Sequence, residues 1–135
     1  MGETRSAQGT VGAWVFFFAV GLLFVVYGVY LAVLPTADPD HWRSYTTDPE
    51  VIAYLSDDFR GTAGTTVAFG LLTAVAAATW FRAGDRRAWY LFWVYPLMFA
   101  WGMATTWAVA VFLVLTLASV AVLALSYRRF PARAR

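Results

Sequence analysis

The sequence predicts an all-α integral membrane protein, built as a four-helix bundle with both termini in the cytoplasm. Of its 135 residues, 61% are hydrophobic and only 13% are charged, whereas about 25% are charged in an average soluble domain. Uncharged apolar stretches are long enough to cross the hydrocarbon core, which takes about 20 residues per helix. Arginines and acids are also segregated into alternate connecting segments, a pattern typical of membrane proteins.

The first predicted span is residues 11–34, which include no charged residue. A cleaved signal peptide is the competing interpretation, but its apolar region would be only about 7–15 residues long. An outer loop, residues 35–61, follows this span and contains six of the eight acids. We call this loop the acidic segment.

A helix start is predicted inside the acidic segment. Asp48 supplies a capping oxygen, Pro49 suits the first helical position, and Glu50 places a negative charge near the positive end of the helix dipole. Apolar residues then recur at spacings of three and four, at Val51, Ile52, Leu55 and Phe59. We therefore expect a short amphipathic helix on the outer membrane surface or over the bundle, which turns near Gly61 into the next span.

The second predicted span, residues 62–81, has a small residue at every fourth position. Small residues let helix backbones approach closely in lipid, where apolar side chains gain nothing by leaving the acyl chains. We expect this helix-packing face to contact a neighbouring helix. Its residues are Thr62, Thr66, Gly70, Ala74 and Ala78.

Arginines and aromatic residues are mixed in the stretch FRAGDRRAWYLFWVYP, which begins at Phe81. We call residues 82–87 the arginine turn and residues 128–135 the basic tail. The arginine run is too short, and too directly continued by an apolar span, to indicate nucleic-acid binding. Cations next to aromatic rings are instead typical of the membrane–water interface. The predicted interface anchors are Arg82, Arg86, Arg87, Trp89, Tyr90, Trp93, Arg128 and Arg129.

The apolar run after the arginine turn is long enough for two crossings and predicts a helical hairpin. We place its spans at residues 88–105 and 107–127, with the connection around Ala104 to Trp107. Pro96 is expected to kink the third span, because proline removes a backbone hydrogen bond.

Charge counting predicts the orientation. The N-terminal tail, the arginine turn and the basic tail together hold eight arginines and two acids, whereas the acidic segment holds two arginines and six acids. By the positive-inside rule, the first three are cytoplasmic and the acidic segment is outside. The chain is therefore expected to be a multi-pass protein of the cell membrane whose first partner is the lipid bilayer.

Few residues are suited to chemistry. The sequence has no cysteine, which excludes disulfides and thiolate chemistry. The spans contain hydroxyl groups but no ionisable acid or base, so ion-coupled transport by the chain alone is not favoured. The hydroxyls are expected to bond to helix backbones or to each other across helices; lining a pocket is the alternative. We predict no catalytic residue, metal or cofactor.

Polar residues that could form a site are confined to the acidic segment. Carboxylates and an imidazole there could ligate a divalent metal. We favour solvated charges, some of them paired with Arg43 or Arg60. The candidate cluster is Asp38, Asp40, His41, Arg43, Asp57 and Asp58.

The plan of four short spans, a longer outer loop after the first span and the tight turn FRAGDRRAWYLFW resembles the small uncharacterised tetraspan proteins of bacteria and archaea, including the broad DoxX-like group. The resemblance implies a compact bundle that acts alone or as an accessory to other membrane proteins. It transfers no catalytic residue.

Three functions remain open. The first is a non-enzymatic structural or accessory protein that assembles with itself or with another membrane protein through the helix-packing face. The second is a pocket protein that binds or isomerises a lipid-like molecule, with Asp40, His41 or Asp57 at the outer mouth. The third is a small multimeric transporter.

Overall fold

The computed structural model describes residues 4–105, 108–127 and 130. Within these residues the chain is helical and contains no β-strand. Two single turns, the 3₁₀ turn Pro35–Ala37 and the π-helical turn Ala77–Phe81, accompany the α-helices. The α-helices are α1 (Thr4–Val33), α2 (Pro39–Trp42), α3 (Pro49–Ala76), α4 (Arg86–Leu91), α5 (Val94–Thr105) and α6 (Val109–Ser126).

Three helical stretches among the described residues are long and apolar enough to cross a membrane. They are Gly12–Val33, Pro49–Phe81 and Val109–Ser126, with mean hydropathies of 2.4, 1.5 and 2.7. The all-α prediction is thereby confirmed for the described residues, and the three stretches are compatible with a membrane protein. The region predicted as the third span, residues 88–105, is divided between α4 and α5.

The prediction of a turn near Gly61 is wrong. α3 runs without interruption from Pro49 to Ala76, so the short surface helix and the second span are one helix. A glycine ends a helix chiefly by adopting the left-handed conformation, and among the described residues only Gly84 has a positive φ. The Thr66 hydroxyl also donates to the carbonyl of Thr62 at 2.7 Å, within the helical pattern.

The predicted start of this helix is confirmed. The Asp48 carboxylate accepts hydrogen bonds from the backbone N–H groups of Glu50 at 2.9 Å and Val51 at 3.4 Å. Pro49 occupies the first helical position, where its missing N–H costs nothing.

We expect Asp48→Ala to lower the free energy of unfolding by about 1 kcal/mol, since two N–H groups lose their acceptor. Detergent-solubilised protein can be unfolded thermally and followed by circular dichroism. Asp58→Ala, at an exposed position of the same helix, is the control and should change stability by less than about 0.5 kcal/mol. Equal losses in the two variants would contradict the capping role.

Residues Phe17–Val75 form one compact unit, which we call the hairpin unit. In this unit α1 packs against α3. An added Cβ at Gly21 would lie 2.6 Å from the backbone nitrogen of Ala74, and one at Gly70 would lie 2.6 Å from the Gly21 carbonyl oxygen. The two helices also approach closely further along α1, where a Cβ added at Gly28 would lie 2.9 Å from the Ala63 carbonyl oxygen. Small residues thus bring the two backbones into direct contact.

The second compact unit comprises Met1–Phe16 and Ala76–Arg135, and we call it the terminal unit. α5 and α6 pack as a hairpin within it, and Gly102 of α5 lies against the ring of Phe112. The helix is interrupted between α4 and α5 at Phe92, one turn before Pro96. This break confirms the predicted kink, because proline cannot donate to the carbonyl four residues earlier.

Candidate functional site

The acidic segment is held by short-range contacts. The Asp38 carboxylate caps α2 by accepting from the Asp40 N–H at 3.0 Å. The indole N–H of Trp42 donates to the Thr36 carbonyl at 2.8 Å, and the Trp42 ring packs 5.8 Å from that of Phe59 in α3. The segment therefore folds back on the first turns of α3.

The predicted polar cluster does not come together as a metal site. Arg43 pairs with Asp40 at 2.9 Å and Arg60 lies 3.8 Å from Asp57, which confirms the expected pairing with arginine. His41 packs 5.1 Å from the ring of Trp42. Across the described part of the chain, no three His, Asp or Glu side chains are placed to hold a metal ion. Exposed pairs of this kind contribute at most about 1 kcal/mol.

Two open grooves lie on the acidic segment. One, of about 470 Å³, is lined by residues that include Arg43, Thr46 and Ile52. The other, of about 570 Å³, includes Asp38 and Arg60. Asp40, His41 and Asp57, which the pocket hypothesis places at an outer mouth, line neither groove.

Several hydroxyl groups of the long helices bond to their own backbones. Thr73 donates to the Phe69 carbonyl at 2.7 Å, and Thr116 and Ser119 bond the carbonyls four residues earlier at the same distance. Thr73 and Ser119 are almost completely buried. This confirms the predicted use of these groups, since a buried hydroxyl without a partner would cost about 1–3 kcal/mol.

The arginine turn is shaped by Gly84 and Asp85. Gly84 has φ 76°, a conformation that side chains disfavour. Asp85 then caps α4 by accepting from the Arg87 N–H at 2.8 Å. The Arg82 guanidinium lies 5.1 Å from the centre of the Trp14 ring, and Arg86 lies 5.6 Å from that of Tyr90. Both are within the range of cation–π attraction.

Trp89 lies at the centre of an aromatic cluster in the terminal unit. It is only 8% exposed, and its indole N–H donates to the Leu123 carbonyl at 3.0 Å. The Tyr127 and Phe130 rings lie 5.3 and 6.4 Å away. Trp89 thus packs inside the unit, and its role as an interface anchor stays a prediction. The spacing of Trp89, Phe92 and Phe99, at three and seven residues, is the sequence signal that could have indicated a buried face.

The other predicted anchors differ in exposure. Tyr90 is 55% exposed, Arg82 and Arg87 are exposed, and Trp93 is partly exposed. Arg128 and Arg129 lie outside the described residues.

Comparison of the chain with protein-family models, curated proteins and solved structures gives no match.

Proposed function

We propose that this chain is a non-enzymatic structural or accessory protein of the cell membrane that assembles with itself or with another membrane protein. In this proposal the chain crosses the membrane four times, and α4 and α5 together form the third crossing. The termini and the arginine turn are cytoplasmic and the acidic segment is outside, as the charge distribution favours. The architectural resemblance to DoxX-like tetraspan proteins belongs to the same proposal.

The observation that carries the proposal is the bonding of the helix hydroxyls. Thr73 and Ser119, the buried hydroxyls best suited to line a pocket, donate to carbonyls of their own helices. Their protons are therefore not directed at a ligand. This arrangement favours a packing role over binding or isomerisation of a lipid-like molecule.

The assembly surface proposed from the sequence needs revision. Gly70 and Ala74 of the helix-packing face contact α1 within the hairpin unit, and Thr62 is exposed. A partner helix would therefore pack on a different surface. Substitution of Gly70 would affect the fold of the chain before it affected an assembly.

The proposal is tested by native mass spectrometry of the protein extracted gently from its own membrane. We expect a defined oligomer or a constant ratio to another membrane protein. Thr73→Val and Ser119→Ala should leave that composition unchanged, because both hydroxyls donate to carbonyls of their own helices. A monomer that retains one apolar molecule of constant mass, and loses it in these variants, would favour the pocket hypothesis instead.

A further inference from the structure

We propose that the arginine turn binds the phosphate group of an anionic phospholipid through the guanidinium groups of Arg82 and Arg86. The inference rests on the membrane location in the proposed function but not on the proposed assembly, since it concerns a lipid and not a protein partner. It rests on the ring that each guanidinium group stacks on, and on the described ion pairs, which include neither arginine.

Aromatic rings hold both guanidinium groups in place. Arg82 lies over the ring of Trp14, and Arg86 lies over that of Tyr90. Arg86 also donates to the Tyr90 hydroxyl at 3.0 Å. A guanidinium group has five N–H donors. Stacking on a ring face uses none of them, so both groups retain donors for an oxyanion.

Carboxylates do not neutralise these arginines in the described part of the chain. Both ion pairs found there belong to the acidic segment, where Arg43 and Arg60 have aspartate partners. The one acid of the arginine turn, Asp85, accepts from the Arg87 backbone N–H. The turn therefore combines three guanidinium groups with a single carboxylate that already caps a helix.

The surroundings favour a lipid over a soluble anion. Trp14 is partly exposed and Tyr90 is exposed beside the arginines, and such amphipathic rings are typical of the headgroup level of a membrane. Guanidinium groups bind phosphate oxygens in a bidentate geometry. A phospholipid provides phosphate oxygens that accept hydrogen bonds from the guanidinium groups, and acyl chains that contact the aromatic rings.

The test uses the full-length protein, freed of lipid in a neutral detergent. It is incubated with phosphatidylglycerol or phosphatidylcholine of matched acyl chains, and retained lipid is counted by native mass spectrometry. We expect the wild type to prefer phosphatidylglycerol. Arg82→Gln/Arg86→Gln should lower that preference by about fivefold per arginine, the effect of one basic residue on attraction to anionic lipid. An unchanged preference would overturn the proposal.

Arg43→Gln/Arg60→Gln is the matched control, because it removes the same charge from the acidic segment. It should retain phosphatidylglycerol like the wild type; an equal loss would show that net charge alone is responsible and would overturn the site. Displacement of the lipid by millimolar inorganic phosphate would assign the turn to a free anion instead.

Tyr90→Phe provides a second test if the double variant does not fold. It preserves charge and ring and removes only the hydroxyl that positions Arg86. We expect retention of phosphatidylglycerol to fall about twofold or more, the effect of one lost hydrogen bond. Retention equal to that of the wild type would contradict the role of Arg86.

Discussion

Gly21→Leu or Gly70→Leu is expected to separate α1 from α3 and to unfold the hairpin unit, with a loss of about 3 kcal/mol or more. Each glycine lies against backbone atoms of the other helix, at 2.6 Å from the position of an added Cβ. Backbone atoms cannot rotate away as a side chain can. The added volume must therefore move a whole helix, and with it the contact between the rings of Phe24 and Phe69.

Titration with sodium dodecyl sulfate, followed by tryptophan fluorescence and circular dichroism, measures this loss. Gly64→Leu is the matched control, because it lies on α3 with open space around its Cβ position. Leucine has the higher helix propensity, so this variant should be neutral or more stable by up to about 1 kcal/mol. A similar loss in all three variants would contradict the close approach of the two helices.

Trp89→Ala is expected to destabilise the terminal unit by about 3–5 kcal/mol, the usual cost of removing a buried tryptophan. The change leaves a cavity among Phe130, Tyr127 and Trp93, whose rings pack on Trp89. It also removes the donor to the Leu123 carbonyl. That carbonyl still accepts from the Ser126 hydroxyl at 3.0 Å, so the cavity is the larger of the two effects.

Trp89→Phe separates the two contributions and should cost less than the alanine variant, with about 1 kcal/mol due to the lost hydrogen bond. Thermal unfolding in detergent, monitored by circular dichroism, gives both values. Trp80→Ala is the control, since that side chain is 58% exposed and should matter much less. A Trp80 variant as unstable as the Trp89 variant would mean that Trp89 is not a core residue.

Local signals in the sequence predicted the ends of helices well. Asp48 with Pro49 indicated the start of α3, and Pro96 indicated the break between α4 and α5. These signals work because a side chain or a missing N–H acts on its own turn of helix. The end predicted at Gly61 was wrong because a glycine permits a turn without requiring one.

The register of the helix contact was harder to predict. Positions every four residues drift around a helix by about 40° per step, so Thr62 and Ala78 leave the face on which Gly70 lies. The observed contacts follow Ala63, Val67, Gly70 and Ala74, with alternating spacings of four and three that keep one face towards a partner. That choice depends on Gly21 and Gly28 of α1, which a single stretch of sequence does not reveal.

The candidate site was predicted only in part. Pairing of acids with Arg43 and Arg60 follows from a spacing of three residues along one helix turn. The cluster around Trp89 depends on Leu123 and Phe130, more than thirty residues away in the sequence. Such contacts are fixed by tertiary packing, so an aromatic residue near arginines could not be assigned to the interface or to the core from its neighbours alone.

α3 and the π turn together comprise 33 residues, about 50 Å at 1.5 Å per residue, and exceed the roughly 30 Å of hydrocarbon in a bilayer. If this helix crosses a bilayer along its normal, about a dozen residues lie beyond the acyl chains. The sequence from Gly61 to Thr66, GTAGTT, is small and weakly polar and suits either lipid tails or headgroups. This stretch can therefore lie inside or outside the hydrocarbon. Bilayers several ångströms thicker or thinner should accommodate the helix at little cost in free energy.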